Sequence, residues 1–209
     1  MRRFGTLAYT ASMRHLAHLT PVLAIALAAC AQTPLATPDR AAAYTGHFES
    51  GCQQLGEAFY TRDVVDLIPA KGGKVNARYA KAIHDADGCG PASLVVVFHL
   101  PTVQWTFDGT TQYQGRTVDR IQTQPTGNGQ LTASSARAGW LSETPTQFML
   151  HHNAGAKGLP VDKAVEQLPS KELRYLDGDR LYTSALDSDP NTYPSALSPD
   201  DYLERKPAP

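Results

Sequence analysis

The chain has 209 residues, of which 42% are hydrophobic and 19% are charged, a composition typical of a folded protein with a buried core. Its 19 Lys and Arg residues nearly balance its 20 Asp and Glu residues, which gives a net charge of −1. No basic patch or basic run stands out, and this argues against nucleic acid as a partner.

The first 29 residues have the features of a secretory signal peptide. Arg2, Arg3 and Arg14 make this segment basic, and it contains no acidic residue. Residues 19–29 then form an uncharged, mostly apolar run of eleven residues. A membrane-spanning helix needs about 20 such residues, so this run is too short to cross a bilayer. We therefore predict a signal peptide over residues 1–29.

The tetrapeptide Leu27-Ala28-Ala29-Cys30 resembles the lipobox of bacterial prolipoproteins. The resemblance implies that the Cys30 thiol is alkylated with diacylglycerol, that the chain is cleaved before Cys30, and that the new amine is acylated. Several acyl chains anchor a protein stably, whereas a single chain binds only marginally. We expect a lipid-anchored envelope protein. Ala31, the residue after Cys30, gives a pattern that resembles lipoproteins sent to the outer membrane. We therefore expect the protein to be anchored there and to face the periplasm. The alternative is an ordinary signal peptide with an unmodified cysteine.

Two further cysteines, Cys52 and Cys89, follow the predicted cleavage point. The cell envelope is oxidising, so a pair of cysteines there favours a disulfide. Closing a loop of this length would stabilise the fold by about 3–4 kcal/mol. The alternatives are two free thiols or a metal-binding pair, although two cysteines without a CxxC spacing make a poor metal site. We predict a disulfide, and no metal or other cofactor.

Domain limits follow from composition. Residues 30–43 are small, contain proline and lack aromatic side chains, which predicts a flexible tether. Residues 187–209 contain five prolines and no periodicity, which predicts an extended Pro-rich tail. The folded domain is expected between these two segments, over residues 44–186.

Within these limits the pattern is one of short strands separated by turns. Val75, Ala77 and Tyr79 repeat with a period of two, which is typical of a half-buried strand. Residues 93–100 are the densest β-branched and aromatic stretch and are predicted as a central strand. The remaining predicted strands are residues 44–50, 58–68, 103–107, 116–123, 130–134, 146–151, 172–176 and 180–184, the last two forming a hairpin.

One short helix is predicted over residues 161–168, because Pro160 stands at its start and Pro169 just beyond its end. We expect eight or nine of these segments to be antiparallel strands of one fold, and such a set must close into a barrel or pack as two sheets to hide its edges. Strictly sequential hairpins favour the barrel, and a β-sandwich is the alternative. We predict a mainly β fold.

Two segments resemble lipocalin-like proteins. Residues 46–52 (GHFESGC) look like the first strand of lipocalin-like barrels, in which a Gly-x-aromatic signature closes the barrel base. Residues 87–91 (DGCGP) are similar to D-x-C-x-P segments in small secreted proteins of that type. Phe48 stands where the usual residue is tryptophan. The resemblance implies an antiparallel lipocalin-like barrel of eight to nine strands over residues 46–184.

No sequence pattern points to catalysis. There is no G-x-S-x-G nucleophile motif and no phosphate-binding loop. His151 and His152 are adjacent in a predicted strand, so their side chains should point to opposite faces, and His47 and His84 are isolated in the sequence. We expect a protein without enzymatic activity. The alternative is a hydrolase of envelope polymers, which would need carboxylates or a Ser–His pair converging in a cleft.

Aromatic side chains provide the remaining candidate site. We expect the barrel lumen to bind a small apolar ligand, because concave sites lined by aromatic residues usually do. The alternative is a solid barrel filled by these rings, with an exposed patch that binds another envelope protein. The predicted ligand-binding residues are Tyr79, Phe98, Trp105, Phe107 and Trp140.

Overall fold

The computed structural model describes residues 37–127, 129–135, 137–152, 158–184 and 189–207. The predicted signal peptide and Cys30 lie outside the described residues. None of the described residues forms a helix that is both long and apolar enough to cross a membrane.

The elements are α1 (Thr37–Tyr44), β1 (Gly46–Glu49), β2 (Gln53–Leu55), β3 (Phe59–Ala70), β4 (Lys74–His84), β5 (Leu94–His99), β6 (Val103–Tyr113), β7 (Arg116–Pro125), β8 (Thr132–Ser135), β9 (Leu141–Glu143), β10 (Gln147–Leu150), β11 (Leu159–Asp162), β12 (Ser170–Asp177), β13 (Arg180–Ser184) and β14 (Leu197–Lys206).

Eight of these strands form a closed antiparallel β-barrel, which confirms the predicted fold class. The strands follow the order β3-β1-β14-β13-β12-β7-β6-β4 around the ring, and β4 pairs again with β3 to close it. Inward and outward side chains alternate along each strand. On β3, Val65 and Leu67 are buried in the core, whereas Val64 and Asp66 face outwards and are half-buried. This period of two shows that β3 buries only one of its faces, as expected for a strand in a barrel wall.

Helix α1 packs its last turn into the barrel core. Ala41 and Tyr44 are buried there, in the same cluster as core residues of the strands. Arg40 forms an ion pair with Asp119 of β7 at 3.0 Å, and the Tyr44 hydroxyl donates to the same carboxylate at 2.9 Å. These contacts fix the helix to the barrel.

The predicted flexible tether over residues 30–43 is therefore wrong for residues 37–43. Small residues suggested a linker, but the three alanines at 41–43 are also the strongest helix formers. Thr37 followed by Pro38 is a sequence pattern typical of a helix start.

Strand β14 lies between β1 and β13 and completes the barrel ring. The predicted Pro-rich tail over residues 187–209 is therefore wrong for residues 197–206, and the barrel extends beyond residue 186. Leu203 pairs in register with Leu181, and both side chains are buried. The register with β13 shifts between Leu197 and Tyr202, and this irregularity accommodates Pro199, which a regular strand interior would not.

A stacked arginine holds the two terminal strands of the barrel together. The Arg205 guanidinium of β14 lies 4.9 Å from the ring centroid of Phe48 on β1. It donates hydrogen bonds to the carbonyl oxygens of Thr45, at 2.9 Å, and Ala43, at 2.8 Å. Gly46 has φ +148°, a backbone conformation that residues with a side chain rarely adopt, and this favours glycine at the start of β1.

The β3–β4 hairpin extends beyond the barrel into a second layer. The first part of β4 pairs with β6 over residues 75–77, whereas its second part pairs with β5 over residues 80–84. Strand β5, predicted as central, therefore lies outside the barrel ring, between β4 and β8. A three-stranded sheet of β11, β10 and β9 packs on this layer, with Phe98 and Phe148 ring centroids 5.5 Å apart.

The helix predicted over residues 161–168 is wrong. Residues Leu159–Asp162 form β11 instead, and the chain from 165 to 169 has no regular structure. The two prolines suggested a helix start and stop, but Pro160 lies in an edge strand. A missing N–H costs little there, because an edge strand has one side without hydrogen bonds.

The predicted disulfide is present between Cys52 and Cys89. It ties the segment between β1 and β2 to a short 3₁₀ turn, Asp87–Cys89, that follows the β3–β4 hairpin. Cys89 is almost completely buried at 2% exposure. The crosslink therefore closes a loop that contains the whole hairpin.

Candidate functional site

The five aromatic residues predicted to line one lumen are divided between two clusters. Trp105 and Phe107 of β6 and Tyr79 of β4 belong to the core of the barrel. Phe98 and Trp140 belong to the second cluster, which lies between the hairpin layer and the three-stranded sheet. The structure therefore does not bring all five together around a single ligand.

Trp105 has no exposed surface, because its neighbours enclose it on every side. Its ring meets the edge of Tyr44 at a centroid distance of 6.2 Å, and the Arg174 guanidinium lies 5.1 Å from its ring centroid. Protein side chains fill the lumen at this level.

A charged group also occupies the lumen. The buried guanidinium of Arg174 on β12 forms an ion pair with Glu172 on the same strand. Burial lowers the pKa of Arg174, but Glu172, Tyr79 and Tyr44 together outweigh this effect and hold the pKa above its ordinary value. A buried ion pair needs its partners and is a poor lining for an apolar ligand. We conclude that the lumen around Trp105 is structural.

The outward faces of β1, β3, β4 and β5 form a groove of about 770 Å³, here called the outer groove. Strand β4 runs along its centre and carries the smallest side chains, Ala80 and Ala82. In register, Ala80 lies between Val64 of β3 and His99 of β5. Larger side chains on both neighbouring strands therefore make a trough along β4. Its volume is within the range of small-molecule sites.

The floor of the outer groove is apolar. Its side chains include Val64, Ala80, Ala82 and Val97, with Ala82 buried at 8% exposure. Outward positions of a barrel surrounded by water are ordinarily polar, because the alternation places apolar residues inside. The apolar floor therefore makes this face a candidate binding surface.

One wall of the outer groove carries a chain of charge pairs. His47 Nδ1 lies 2.7 Å from Asp66 Oδ1, and His47 Nε2 lies 3.1 Å from Glu49 Oε1. Arg62 donates to the other oxygen of Glu49 at 2.8 Å. Burial lowers the pKa of His47, but the hydrogen bonds to Asp66 and Glu49 outweigh it, so this pKa is raised above its ordinary value. His47 is thereby favoured as a cation.

Two further histidines line the same groove, although all three are distant in the sequence. His84 is buried at 5% exposure, and its Nδ1 lies 3.1 Å from the Ser93 hydroxyl. Burial lowers the pKa of His84, so it is favoured as the neutral form. His99 is exposed and contacts the Ser134 hydroxyl at 3.2 Å.

A catalytic triad, one form that the hydrolase alternative could take, requires a serine, a histidine and a carboxylate linked by hydrogen bonds. A third Ser–His contact joins Ser142 and His151 at 2.7 Å. In the described part of the chain, no carboxylate hydrogen-bonds to His84, His99 or His151, whereas the histidine that carboxylates do flank, His47, contacts no serine. The orienting acid of a catalytic triad is thus missing from these three pairs.

The same side chains are also potential metal ligands. Over the described ranges, no three His, Cys, Asp or Glu side chains lie close enough to hold a metal ion together. His151 and His152 diverge, since His152 packs edge-on against Phe59 at a centroid distance of 5.7 Å, whereas His151 contacts Ser142.

A second surface feature is a row of tyrosines on the outside of β12, β13 and β14, here called the tyrosine row. Tyr175, Tyr182 and Tyr202 lie in register, with ring centroids 6.0 Å and 5.6 Å apart. Arg116 lies 5.4 Å from the ring centroid of Tyr175, and Arg180 lies 4.7 Å from that of Tyr202. Tyrosine and arginine are enriched in protein interfaces.

Of the predicted ligand-binding residues, only Tyr79 also borders the outer groove. Sequence reasoning missed the rest of the groove, although a signal was present. Val64 and Val97 stand at outward positions of their strands, where the alternation calls for polar residues. Without the register of β3, β4 and β5, these positions could not be assigned to one surface.

No protein-family model matches this chain, and neither the curated proteins nor the solved structures contain a significant match to it.

Proposed function

We propose that this protein is a lipid-anchored lipoprotein of the bacterial cell envelope and that its barrel binds a small, largely apolar ligand in the outer groove. The observation that carries the binding role is the groove itself, an apolar trough of about 770 Å³ edged by a few charged groups. Small-molecule sites generally have this make-up. The proposed role is binding rather than catalysis.

The proposed location rests on the sequence. The apolar run over residues 19–29 and the lipobox-like tetrapeptide ending at Cys30 support export, acylation and an outer-membrane anchor that faces the periplasm. Six residues separate Cys30 from the start of α1 at Thr37. Such a segment spans at most about 20 Å. An anchor at Cys30 would therefore hold the barrel close to the membrane surface.

The anchor is tested by Cys30→Ser. We expect this substitution to abolish the mass added by acylation and, because cleavage follows alkylation, to leave residues 1–29 attached. The melting temperature should stay unchanged, because Cys30 precedes the elements that the structure describes. Intact-mass spectrometry provides the measurement. Wild-type protein without acyl groups, or a Cys30→Ser variant that still carries them, would contradict the proposed anchor.

The groove is tested by Ala80→Trp. Ala80 is half-buried at the centre of the trough, so an indole there should fill it without disturbing the barrel core. We expect the neutral fluorescent probe N-phenyl-1-naphthylamine to bind the Cys30→Ser protein saturably. Ala80→Trp should weaken this binding by about tenfold or more, which corresponds to about 1.4 kcal/mol.

The matched control is Gln112→Trp, which places the same ring at an exposed position of β6. It should leave probe binding unchanged. Equal binding by the Ala80→Trp and Gln112→Trp proteins would show that the probe binds elsewhere.

Protein binding is the second candidate function, and the tyrosine row favours it. Its three half-buried rings and flanking arginines supply the residue types that dominate binding energy at interfaces. If the outer groove takes up no probe, cross-linking from this surface in intact cells is the measurement that follows.

A further inference from the structure

The charges that line the outer groove do not cancel. Its anionic groups, Glu49 and Asp66, are both engaged, Glu49 by Arg62 and His47, and Asp66 by His47. Arg78 of β4 also lines the groove, is exposed, and forms no ion pair within the described part of the chain. With His47 protonated, three cations face two anions. One positive charge is left over, and it lies on Arg78.

Arg78 lies at one end of the outer groove, so the two ends of the groove differ. Arg78 and His84 both line the groove and lie six positions apart on β4, a distance of about 20 Å along a strand. Beyond His84 the groove is bordered by Cys89 and Leu94, next to the disulfide. The apolar floor of Ala80 and Ala82 lies between these ends. One end of the trough thus carries the unpaired cation Arg78. Beyond it the floor is apolar, and the Glu49–Arg62 ion pair lies along one wall.

We propose that the outer groove binds a single-chain amphiphile with one negative charge, a long-chain carboxylic acid, with its carboxylate on Arg78 and its tail along β4 towards Cys89. This inference rests on the proposed binding function of the groove and specifies its ligand class. An acyl chain in one membrane leaflet spans about 15 Å, half of the hydrocarbon core, and such a chain fits the trough.

The surrounding charges favour a carboxylate over a phosphate. Asp66 lies directly opposite Arg78 in the register of β3 and β4. A single guanidinium can bind a carboxylate through two parallel hydrogen bonds and balance its charge. A phosphate monoester would carry a second negative charge beside Asp66, without a second unpaired cation to balance it.

The test compares three twelve-carbon probes, dodecanoate, 1-dodecanol and dodecyl phosphate, by isothermal titration to the full chain carrying Cys30→Ser. We expect dodecanoate to bind about tenfold more tightly than dodecanol, as one charge-assisted contact allows.

Added salt should reduce this preference, because Arg78 is exposed. Arg78→Gln should abolish the preference and leave dodecanol affinity unchanged, and Arg78→Lys should retain part of it. The matched control, Lys71→Gln, removes an exposed cation in the β3–β4 turn, outside the groove lining, and should change nothing.

The outcomes separate this inference from the proposed function. Equal binding of dodecanoate and dodecanol would overturn the carboxylate assignment while leaving groove binding intact, provided that Ala80→Trp weakens both. Tighter binding of dodecyl phosphate than of dodecanoate would overturn the assignment in favour of a phosphate headgroup. Failure of all three probes to bind would overturn both proposals.

Discussion

Replacing Trp105 by alanine is expected to lower the free energy of unfolding by about 3–5 kcal/mol. The side chain has no exposed surface, and it packs against Tyr44 and under the Arg174 guanidinium. Its removal would leave a cavity beside the buried Arg174–Glu172 ion pair. Urea unfolding followed by circular dichroism measures the effect, which should appear as a lower midpoint with an unchanged slope.

Trp140→Ala is the matched control, because Trp140 is only half-buried and lies outside the barrel. Trp140→Ala should lower the free energy of unfolding clearly less than Trp105→Ala does. A Trp105→Ala protein within about 1 kcal/mol of wild type would contradict the filled lumen, since a residue lining an open site loses few packing contacts when it is shortened.

Cys52→Ser is expected to lower the free energy of unfolding by about 3–4 kcal/mol under non-reducing conditions. The disulfide spans 37 residues of sequence, and its loss frees that loop in the unfolded chain. Thermal unfolding with and without a reductant gives the measurement. Reductant should lower the melting temperature of the wild type towards that of the variant and leave the variant unchanged.

Acylation provides an internal control for this substitution. The Cys52→Ser protein should still acquire the mass expected for acylation at Cys30, because the two cysteines serve different purposes. An unchanged melting temperature for Cys52→Ser without reductant would show that the crosslink contributes nothing to stability.

Much of the barrel could be predicted because its strands carry a regular alternation. Val75 and Ala77 are buried on one face of β4, as their period of two indicated, and the hairpin of β12 and β13 lies where Asp177 and Gly178 predicted a turn. The disulfide followed from the number of cysteines and the expected compartment.

The errors share a physical cause, because the same residue types serve opposite purposes in different contexts. Alanines 41–43 suited either a linker or a helix, and only the burial of Ala41 and Tyr44 in the core decided between them. Pro160 suited either a helix start or an edge strand. In both cases the local sequence allowed two structures, and tertiary packing decided between them.

The outer groove could not be predicted for a different reason. His47, Val64, Arg78 and His99 come from four strands, and they share a surface only because of the register that places Ala80 between Val64 and His99. A shift of one residue would turn every one of these side chains to the opposite face. Site prediction in such a barrel therefore depends on pairing information that a single sequence does not contain.

The pairing of β1 with β14 dictates the order in which this protein can fold. The hydrogen bond from Arg205 to the Ala43 carbonyl joins residues 162 positions apart. Such a contact forms late, because a long loop must close before it yields any stabilisation. The ring therefore cannot close during synthesis until the ribosome has released residue 206. Until then, β1 has an open edge that could pair with another chain. The topology therefore leaves the incomplete chain prone to aggregation until β14 is made. A truncation that removed only β14 would leave the edge of β1 permanently open.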